Sequence, residues 1–503
     1  MPILILLTLA TACLNLPWPD PFALSPLWST YATLGLVGVA LICSTSLSCW
    51  VTRKLNRDPE NRAAVGRRYG RCRHLLFFFN LGITATAIIA FGWGQTVWSQ
   101  FVVQHHGKAT LLPYAELAVP GPYLLLLVVN WMIYYPAERA LHATARSTQG
   151  KSFWSLPAFM LFNLRQFALM ILFPLLMTVS AQTLARFSPE IMDEWWFHLA
   201  SVLSLLMLVV LMPLFVRPLL GLKRFPQSEQ RQRLEATAKR LGVRFSDLLL
   251  WPTHGAMANA MVVGVVPWAR YVIFTDRLLE GMDEEEINAV YGHELGHIRS
   301  GHMPYYLGFL MLSMTACFGM YAVLLLQLER YGYDLNEWKL YLELPPLLII
   351  GIYIFLMFGL LSRMCERQAD IAGCRAGSCS NKDCYGHTAD TILPVGGHAL
   401  CRTGTIAMIR ALDAVMSLNG IDDPEHSGRW RHLNRSLSWL RSWLHGPPRH
   451  RIAYLESLLD KPERADRHDR LVFWFRIGVF AVLISLVTLG GSVVGWAELW
   501  KRL

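Results

Sequence analysis

The sequence predicts a mostly α-helical membrane protein, a multi-span helical bundle of about 8 to 9 spans that also carries a polar domain with a small β-sheet. Two observations lead to this fold class. Of the 503 residues, 53% are hydrophobic and 16% are charged, whereas soluble domains average about 25% charged residues. The chain also repeats apolar stretches of roughly the 20 residues that a helix needs to cross a bilayer.

Apolar stretches divide the chain into segments. Strong candidate spans lie near 27–50, 74–95, 114–135, 156–180, 196–220, 303–328, 340–361 and 470–497. Residues 1–17 are a weaker candidate. No basic residue precedes their apolar run, so they make a poor signal peptide, but they could still span the membrane. We expect an N-terminal bundle, a polar region, two membrane helices, a second polar region and a C-terminal membrane helix, at 1–220, 221–302, 303–361, 362–469 and 470–503.

Lysine and arginine gather in alternate loops. Loop 51–73 carries eight of these residues and loop 136–155 carries three. The positive-inside rule places these loops in the cytoplasm together with the polar regions 221–302 and 362–469, which can therefore form one domain. Because this orientation explains the net charge of +10, we expect the lipid bilayer, and no nucleic acid, as a partner.

Local patterns in the polar regions predict their secondary structure. Residues 229–241 are rich in Arg, Glu and Gln with helical spacing. Two apolar runs, 260–263 and 271–274, are separated by a turn containing Gly and Pro, which predicts a β-hairpin. In the second region we expect the 340–361 helix to continue beyond the membrane and a further helix near 404–418.

The helix after the hairpin carries a motif with chemical meaning. Asp283 followed by Glu286 forms a capping box, so we expect a helix from here to about Ser300. Residues 293–297 read His-Glu-Leu-Gly-His, the HExxH pattern. Histidines four residues apart share one helix face, so both imidazoles can bind one tetrahedral Zn²⁺ while the Glu294 carboxylate lies beside the attacking water. The pattern predicts one catalytic zinc ion, with a solvated polar helix face as the alternative.

A catalytic zinc needs a third protein ligand. His302 does not have the HExxHxxGxxH spacing. Glu366 lies on a predicted helix, with Asp370 one turn later, where its carboxylate can accept a hydrogen bond from a zinc-bound imidazole. The spacing leaves a second interpretation open, a surface ion pair of Glu366 with Arg363 or Arg367.

Three segments together resemble a known family. HELGH at 293–297, SRMCERQAD at 362–370 after two apolar spans, and ANAMVVG at 258–264 are similar to the membrane gluzincins, which include the CAAX prenyl proteases and the bacterial heat-shock protease HtpX. The motifs cover roughly 220–460. The resemblance implies a cytoplasmic gluzincin-like catalytic domain whose zinc ligands are His293, His297 and Glu366. It also implies that Asp370 accepts a hydrogen bond from the imidazole of a zinc-bound histidine.

Substrate binding is also implied by the resemblance. Asn259 and Ala260 match the family's Asn-Ala motif at the start of an edge strand, along which the substrate lies extended and is held by main-chain hydrogen bonds. An ordinary turn is the alternative for Asn259.

The last matching element is a His and an Arg six residues apart, His445 and Arg451, which implies cationic donors to the oxyanion of the transition state. In this chain Gly446 follows His445, where the family more often has Pro. His450 is therefore an alternative to His445, and a basic surface loop is the alternative for all of them.

The predicted function is that of a zinc endopeptidase acting on protein or peptide substrates at the membrane, with Glu294 as general base. The resemblance implies either quality control of membrane proteins, as for HtpX, or processing of lipidated C-terminal tails, as for CAAX proteases. The five spans before the HExxH helix resemble the layout of CAAX proteases more than the shorter HtpX layout. The span at 470–497 and the apolar residues 1–17 exceed either pattern, so we favour a relative in the bacterial inner membrane with a quality-control or unassigned proteolytic role. A multi-span receptor or transporter is the non-enzymatic alternative, and it leaves the HExxH motif and Glu366 unexplained.

Cysteines suggest one further hypothesis. A second, structural zinc site can be drawn from residues that cluster in the second polar region, namely Cys374, Cys379, Cys384, Cys401, His387 and His398. Their spacing differs from the CxxC pairs of common zinc modules. Unlinked thiols are the preferred interpretation, since disulfides rarely persist in the cytoplasm.

Overall fold

Helices dominate the structure. The computed structural model describes residues 21–105, 107–143, 153–192, 194–333, 339–378, 400–419 and 443–496. Their strands form one two-stranded and one four-stranded sheet. By its contacts the chain divides into two compact units, the first comprising Met1–Leu206, Val216–Gly221 and His254–Ala256, the second Met207–Phe215, Leu222–Thr253 and Met257–Leu503.

The first unit consists of helices that pack through small side chains. Its elements are α1 (Pro26–Arg57), α2 (Arg62–Ile89), α3 (Trp93–Phe101), β1 (Val102–His105), β2 (Lys108–Leu111), α4 (Gly121–Ala143), α5 (Leu156–Phe167), α6 (Phe173–Phe187) and α7 (Pro189–Met192), followed by α8 (Trp195–Leu219). On α1, buried Ser44 and Ser48 leave room for α4 to approach closely. Ser48 Oγ donates to the Ile133 carbonyl at 2.6 Å, and the Tyr134 hydroxyl donates to Ser44 Oγ at 3.0 Å.

The second unit combines the larger sheet with helices. Its elements are β3 (Lys223–Arg224), α9 (Glu229–Arg240), β4 (Asp247–Trp251), β5 (Ala260–Val263), β6 (Tyr271–Thr275), α10 (Asp276–Gly281), α11 (Glu284–Arg299), α12 (His302–Arg330), α13 (Lys339–Gly377), α14 (Arg402–Leu418), α15 (Pro448–Asp460) and α16 (Glu463–Val494). Fully buried residues of the sheet and helices form its core, among them Leu248, Phe274, Tyr291, Leu295 and Ile371.

The sheet has the order β3-β4-β6-β5, with β5 at an edge. β5 pairs antiparallel with β6 in the register Ala260 opposite Phe274, so the predicted hairpin is confirmed. Gly264 ends β5 at φ +109, and a Cβ there would overlap the Ala269 carbonyl oxygen. Only glycine fits this turn.

The predicted start of α11 is confirmed atom by atom. Asp283 Oδ1 accepts a hydrogen bond from the Glu286 amide at 2.8 Å, and the Asp283 amide donates to Glu286 Oε2 at 3.1 Å. This capping box satisfies two amides that the first turn would otherwise leave without partners. The helices predicted at 229–241, beyond 361 and at 404–418 are also present, as α9, the end of α13 and α14.

Helices α11 and α13 make very close contact. A Cβ on Gly296 would lie 2.6 Å from Ala372 Cβ and 3.1 Å from Ala369 Cα, and one on Gly292 would overlap Ala376. Small residues on both faces therefore set the distance between the two helices, as they do between membrane helices. We call this contact, formed by Gly292, Gly296, Ala369, Ala372 and Ala376, the glycine seam.

Within the described residues, seven helices are long and apolar enough to cross a membrane: Pro26–Arg57, Ala64–Ile89, Leu156–Phe187, Leu199–Leu219, His302–Arg330, Ile349–Gly377 and Glu463–Val493. Each overlaps a predicted span, and by length and composition they make the chain an integral membrane protein. The span predicted at 114–135 differs. Its helix α4 begins only at Gly121, after a short turn, and is not among the seven because residues such as Asn130 and Pro136 lower its mean hydropathy.

Two predictions fall partly or wholly outside the described residues. The possible span at 1–17 is one of them. Of the cysteine cluster, Cys374 and Cys401 are described and buried as free thiols, whereas Cys379 and Cys384 lie outside. The second zinc site therefore stays a prediction.

Candidate metal centre

Three potential metal ligands converge in the second unit. His293 and His297 lie one turn apart on α11, and Glu366 lies on α13 beyond the glycine seam. One donor atom from each lies within 4.8 Å of the others. The two Nε2 atoms are 3.2 Å apart, and Glu366 oxygens lie 3.6 Å from each imidazole.

These residues fit a zinc ion. Glu366 is 2% exposed, and its Oε2 accepts no hydrogen bond from the described part of the chain. Oε2 faces His293 and Oε1 faces His297, and Arg451 Nη1 lies 3.3 Å from Oε2 without forming a hydrogen bond. A buried carboxylate placed between two imidazoles in this way suits a cation bound by all three side chains. Two nitrogens and one oxygen also match the donor set of a catalytic zinc, which keeps a fourth position open.

The imidazole of His293 is hydrogen-bonded to a charged side chain. Its Nδ1 lies 2.9 Å from Asp370 Oδ1, the contact expected behind a zinc-bound imidazole. Asp370 is fully buried and accepts from Arg451 Nε at 2.8 Å and Nη2 at 2.5 Å. Burial alone would lower the pKa of His293, but the hydrogen bond to Asp370 and its charge raise it above the usual value.

The imidazole of His297, by contrast, contacts another histidine side chain. Its Nδ1 lies 2.8 Å from Nδ1 of His302, the first residue of α12. His302 is fully buried, and its Nε2 lies 3.0 Å from Gln368 Oε1. Burial, together with the nearby positive charge of His293, lowers the pKa of His297 well below the usual value. Sequence reasoning gave His302 no role, since its spacing fits no zinc pattern.

Glu294 lies beside the ligands on α11. Burial, reinforced by the negative charge of Glu366, raises the pKa of Glu294 to about 7. A carboxylate with a pKa near neutrality is suited to take up a proton and release it again.

The segment after residue 443 brings two cations to Glu366. His445 Nδ1 lies 2.8 Å from Glu366 Oε1, and Arg451 Nη1 lies 3.3 Å from Glu366 Oε2. His450, the alternative to His445, is exposed. Arg451 is largely buried. It lies in the first turn of α15, where its amide donates to the carbonyl of the N-cap residue Pro447 at 3.3 Å. Its contacts with Asp370 add a positioning role to the transition-state role expected from the sequence.

Asn259 and Ala260 lie at the start of the edge strand, beside α11. The Asn259 backbone is fixed on one side by Thr275, whose Oγ1 accepts the Asn259 amide at 2.8 Å. Asn259 is exposed and Ala260 is buried. No described strand pairs with the outer edge of β5, so that edge is available to an extended peptide.

A small cavity of about 40 Å³ lies between β5 and the candidate ligands. It is lined by residues of β5, its turn and the α11–α12 junction, namely Val262, Gly264, Arg270, His297, Ile298, Gly301, Met303 and Pro304. A side chain of a peptide on β5 would therefore enter a mostly apolar space next to His297.

Comparisons with known proteins agree with the motifs. Residues 225–433 match the sequence profile of peptidase family M48. A CAAX prenyl protease 1 homolog from Oryza sativa subsp. japonica is 29% identical over 191 residues, which are 35% of this chain and 43% of the relative. The homolog from Arabidopsis thaliana is 27% identical over 186 residues, with the same coverages. The chain thus spans less than half the length of these relatives.

Among solved structures, the crystal structure of S. mikatae Ste24p aligns with 85% of this chain and 98% of its own, at a TM-score of 0.49 and 15% identity.

Proposed function

We propose that this chain is a zinc-dependent membrane endopeptidase that hydrolyses peptide bonds of membrane or membrane-associated proteins, because residues 225–433 match the profile of peptidase family M48. The observation that carries the proposal is the convergence of His293, His297 and Glu366, whose donor atoms lie within 4.8 Å of one another, next to Glu294. A receptor or transporter has no need of a general base beside three metal ligands.

We infer a separate role for each group of residues at the site. A zinc ion held by His293, His297 and Glu366 supplies Lewis acidity toward a peptide carbonyl and a water molecule. Glu294 takes the proton of the attacking water and passes it to the leaving amine, for which its raised pKa is suited. His445 and Arg451, which contact the Glu366 carboxylate, are proposed to stabilise the negative charge that develops on the substrate oxygen.

Substrate selection is proposed to begin at the edge of β5. Asn259 and Ala260 start the strand, whose outer edge offers main-chain hydrogen bonds to any extended peptide. Sequence preference is then left to side-chain pockets, including the cavity beside His297.

For the physiological role we propose quality control of membrane proteins in a bacterial inner membrane, with the zinc domain on the cytoplasmic side. Loop charge supports that orientation. The second candidate is processing of lipidated C-terminal tails, which is favoured by the names of the matching relatives, CAAX prenyl protease 1 homologs.

Purified full-length chain in detergent tests the proposal. We expect one zinc per chain and cleavage of an unfolded membrane-protein reporter, and Glu294→Gln should keep the zinc while hydrolysis falls by about 10²–10⁴. Absence of zinc from the wild type, or residual activity of the variant above a few percent, contradicts the assignment. Farnesylated and unmodified peptides of one sequence separate the two substrate classes, since only a tail-processing enzyme should require the lipid.

A further inference from the structure

His302 is a buried imidazole that the proposed chemistry does not use. It begins α12, directly after Gly301, whose φ of +64 turns the chain back toward α11. Its Nδ1 faces Nδ1 of His297 at 2.8 Å, and its Nε2 faces Gln368 Oε1 at 3.0 Å. A contact between two like nitrogens forms a hydrogen bond only when one of them carries a proton and the other does not.

The surroundings of Gln368 decide which nitrogen has the proton. Gln368 Nε2 donates to Asp469 Oδ1 at 3.0 Å, and Gln368 Oε1 accepts from Arg476 Nη2 at 3.3 Å. A flipped amide would place its NH₂ against the guanidinium and its carbonyl against the carboxylate. The amide oxygen therefore faces His302, and only a protonated Nε2 can satisfy it.

The proton on His302 Nε2 determines where His297 carries its own proton. With its proton on Nε2, a neutral His302 presents an unprotonated Nδ1 as an acceptor. His297 must then carry its proton on Nδ1 and donate it to His302. The lone pair of His297 Nε2 is left free toward His293 and Glu366, the direction in which a metal would be bound.

We propose that His302, oriented by Gln368, is a positioning residue that fixes the metal-binding tautomer of His297. The inference rests on the zinc site of the proposed function. Partners behind a metal-bound imidazole typically change metal affinity by about 10–100-fold when removed. The effect of His302 on His297 should therefore be measurable as a change in zinc affinity, independently of hydrolysis.

Two amide substitutions separate the two ends of the His302 ring. In His302→Asn the side-chain oxygen lies about where Nδ1 was, so the acceptor for His297 is kept. In His302→Gln the amide reaches the place of Nε2, so the contact with Gln368 is kept and the acceptor for His297 is lost. The zinc dissociation constant of the full-length chain is measured against a chromophoric chelator. We expect a loss of about 10–100-fold for His302→Gln and a loss within about 3-fold for His302→Asn.

Equal losses in the two variants, or none in either, overturn the proposal. Thermal unfolding of the metal-free variants shows whether they fold. If neither variant folds, Gln368→Met is used, because it removes the amide that orients His302 and leaves His302 itself unchanged. A weaker zinc affinity of Gln368→Met supports the positioning role of His302, and an unchanged affinity overturns it. If the wild-type protein binds no zinc, the proposed function itself is contradicted. If the wild-type protein binds zinc and His302→Gln binds it equally well, only the positioning role of His302 is contradicted.

Discussion

The two imidazoles of the HExxH motif are held by opposite kinds of partner. His293 rests on the buried carboxylate of Asp370, which Arg451 compensates, while His297 rests on the neutral side chain of His302. The difference has an electrostatic reason. A second carboxylate behind His297 would bring another buried negative charge close to Glu294, which would raise its pKa further and disfavour the ionised base. We refer to the two sides as the charged side and the neutral side.

The largest effect is expected from removing the ligand that both sides share. Glu366→Ala should abolish stoichiometric zinc binding and hydrolysis together, because two imidazoles alone underligate zinc. Zinc content and reporter cleavage are measured on the same preparation, with Glu294→Gln as the variant that keeps every ligand. Full zinc occupancy in Glu366→Ala would mean that some other residue is the third ligand.

Arg451 tests how the charged side works. Arg451→Ala should lower kcat by about 10²–10³ and also weaken zinc binding, since Asp370 loses two hydrogen bonds and its compensating charge. The matched control is His450→Ala, an exposed neighbour on the same helix. Steady-state kinetics and chelator competition are compared. A rise in KM alone would assign Arg451 to substrate binding.

Asp370→Asn sharpens the contrast between the sides. The amide oxygen can still accept from His293 Nδ1, but the charge is gone and Arg451 is left facing a neutral group. We expect zinc affinity to fall by about 10–100-fold, more than for a neutral substitution that keeps the acceptor behind His297, such as His302→Asn. If the two variants bind zinc equally well, the charge on Asp370 is not what distinguishes the sides.

The glycine seam can be tested without touching any ligand. Gly296→Ala should destabilise the fold by about 1–3 kcal/mol, because the added methyl overlaps Ala372 and Ala369. Widening the seam also moves Glu366 away from both imidazoles, so zinc affinity should fall. Gly351→Ala on α13, the helix that faces Gly296 across the seam, is the control, since a Cβ at Gly351 meets nothing within 4 Å. Thermal unfolding that is unchanged in both variants would show that the seam is loose.

The smallest effect is expected at His445, which is mostly exposed. Its hydrogen bond to Glu366 raises the pKa of His445 above the usual value. The cation therefore persists to higher pH than in a free histidine and is lost as pH rises through the raised pKa. His445→Ala should lower kcat several-fold near neutrality, and the wild-type advantage should disappear at alkaline pH. A ratio of the two rates that does not vary with pH contradicts a role for the charge.

Much of this centre follows from local sequence, because its determinants are short-range. The capping box at Asp283, the hairpin and the spacing of the two histidines each depend on residues a few positions apart, and the structure contains the capping box and the hairpin as predicted. Glu366 is 69 or more positions from the histidines, and spacing alone left it undecided. The assignment of all these residues to zinc stays a prediction until metal is measured.

The neutral side was not predictable from the sequence. His302 fits no zinc spacing, and its partners come from helices that only the fold brings together: Gln368 on α13, and Asp469 and Arg476 on α16. The later start of the helix predicted at 114–135 has a simpler origin. Apolar composition cannot reveal the short turn at Ala115–Ala118 before α4, nor that Tyr114 adopts a positive φ.

Helix α13 is one continuous rod that carries both a candidate membrane span and Glu366. The glycine seam is the place where this helix packs most closely against α11. At 1.5 Å per residue, Glu366 lies about 5 Å along the axis from Ala369, whereas Ile349 lies about 30 Å away. A swing of about 10° around the seam therefore displaces Ile349 by about 5 Å but Glu366 by less than about 1 Å. Because Glu366 lies so close to the seam, its carboxylate keeps its place beside the two imidazoles through small tilts of the membrane-spanning part of α13.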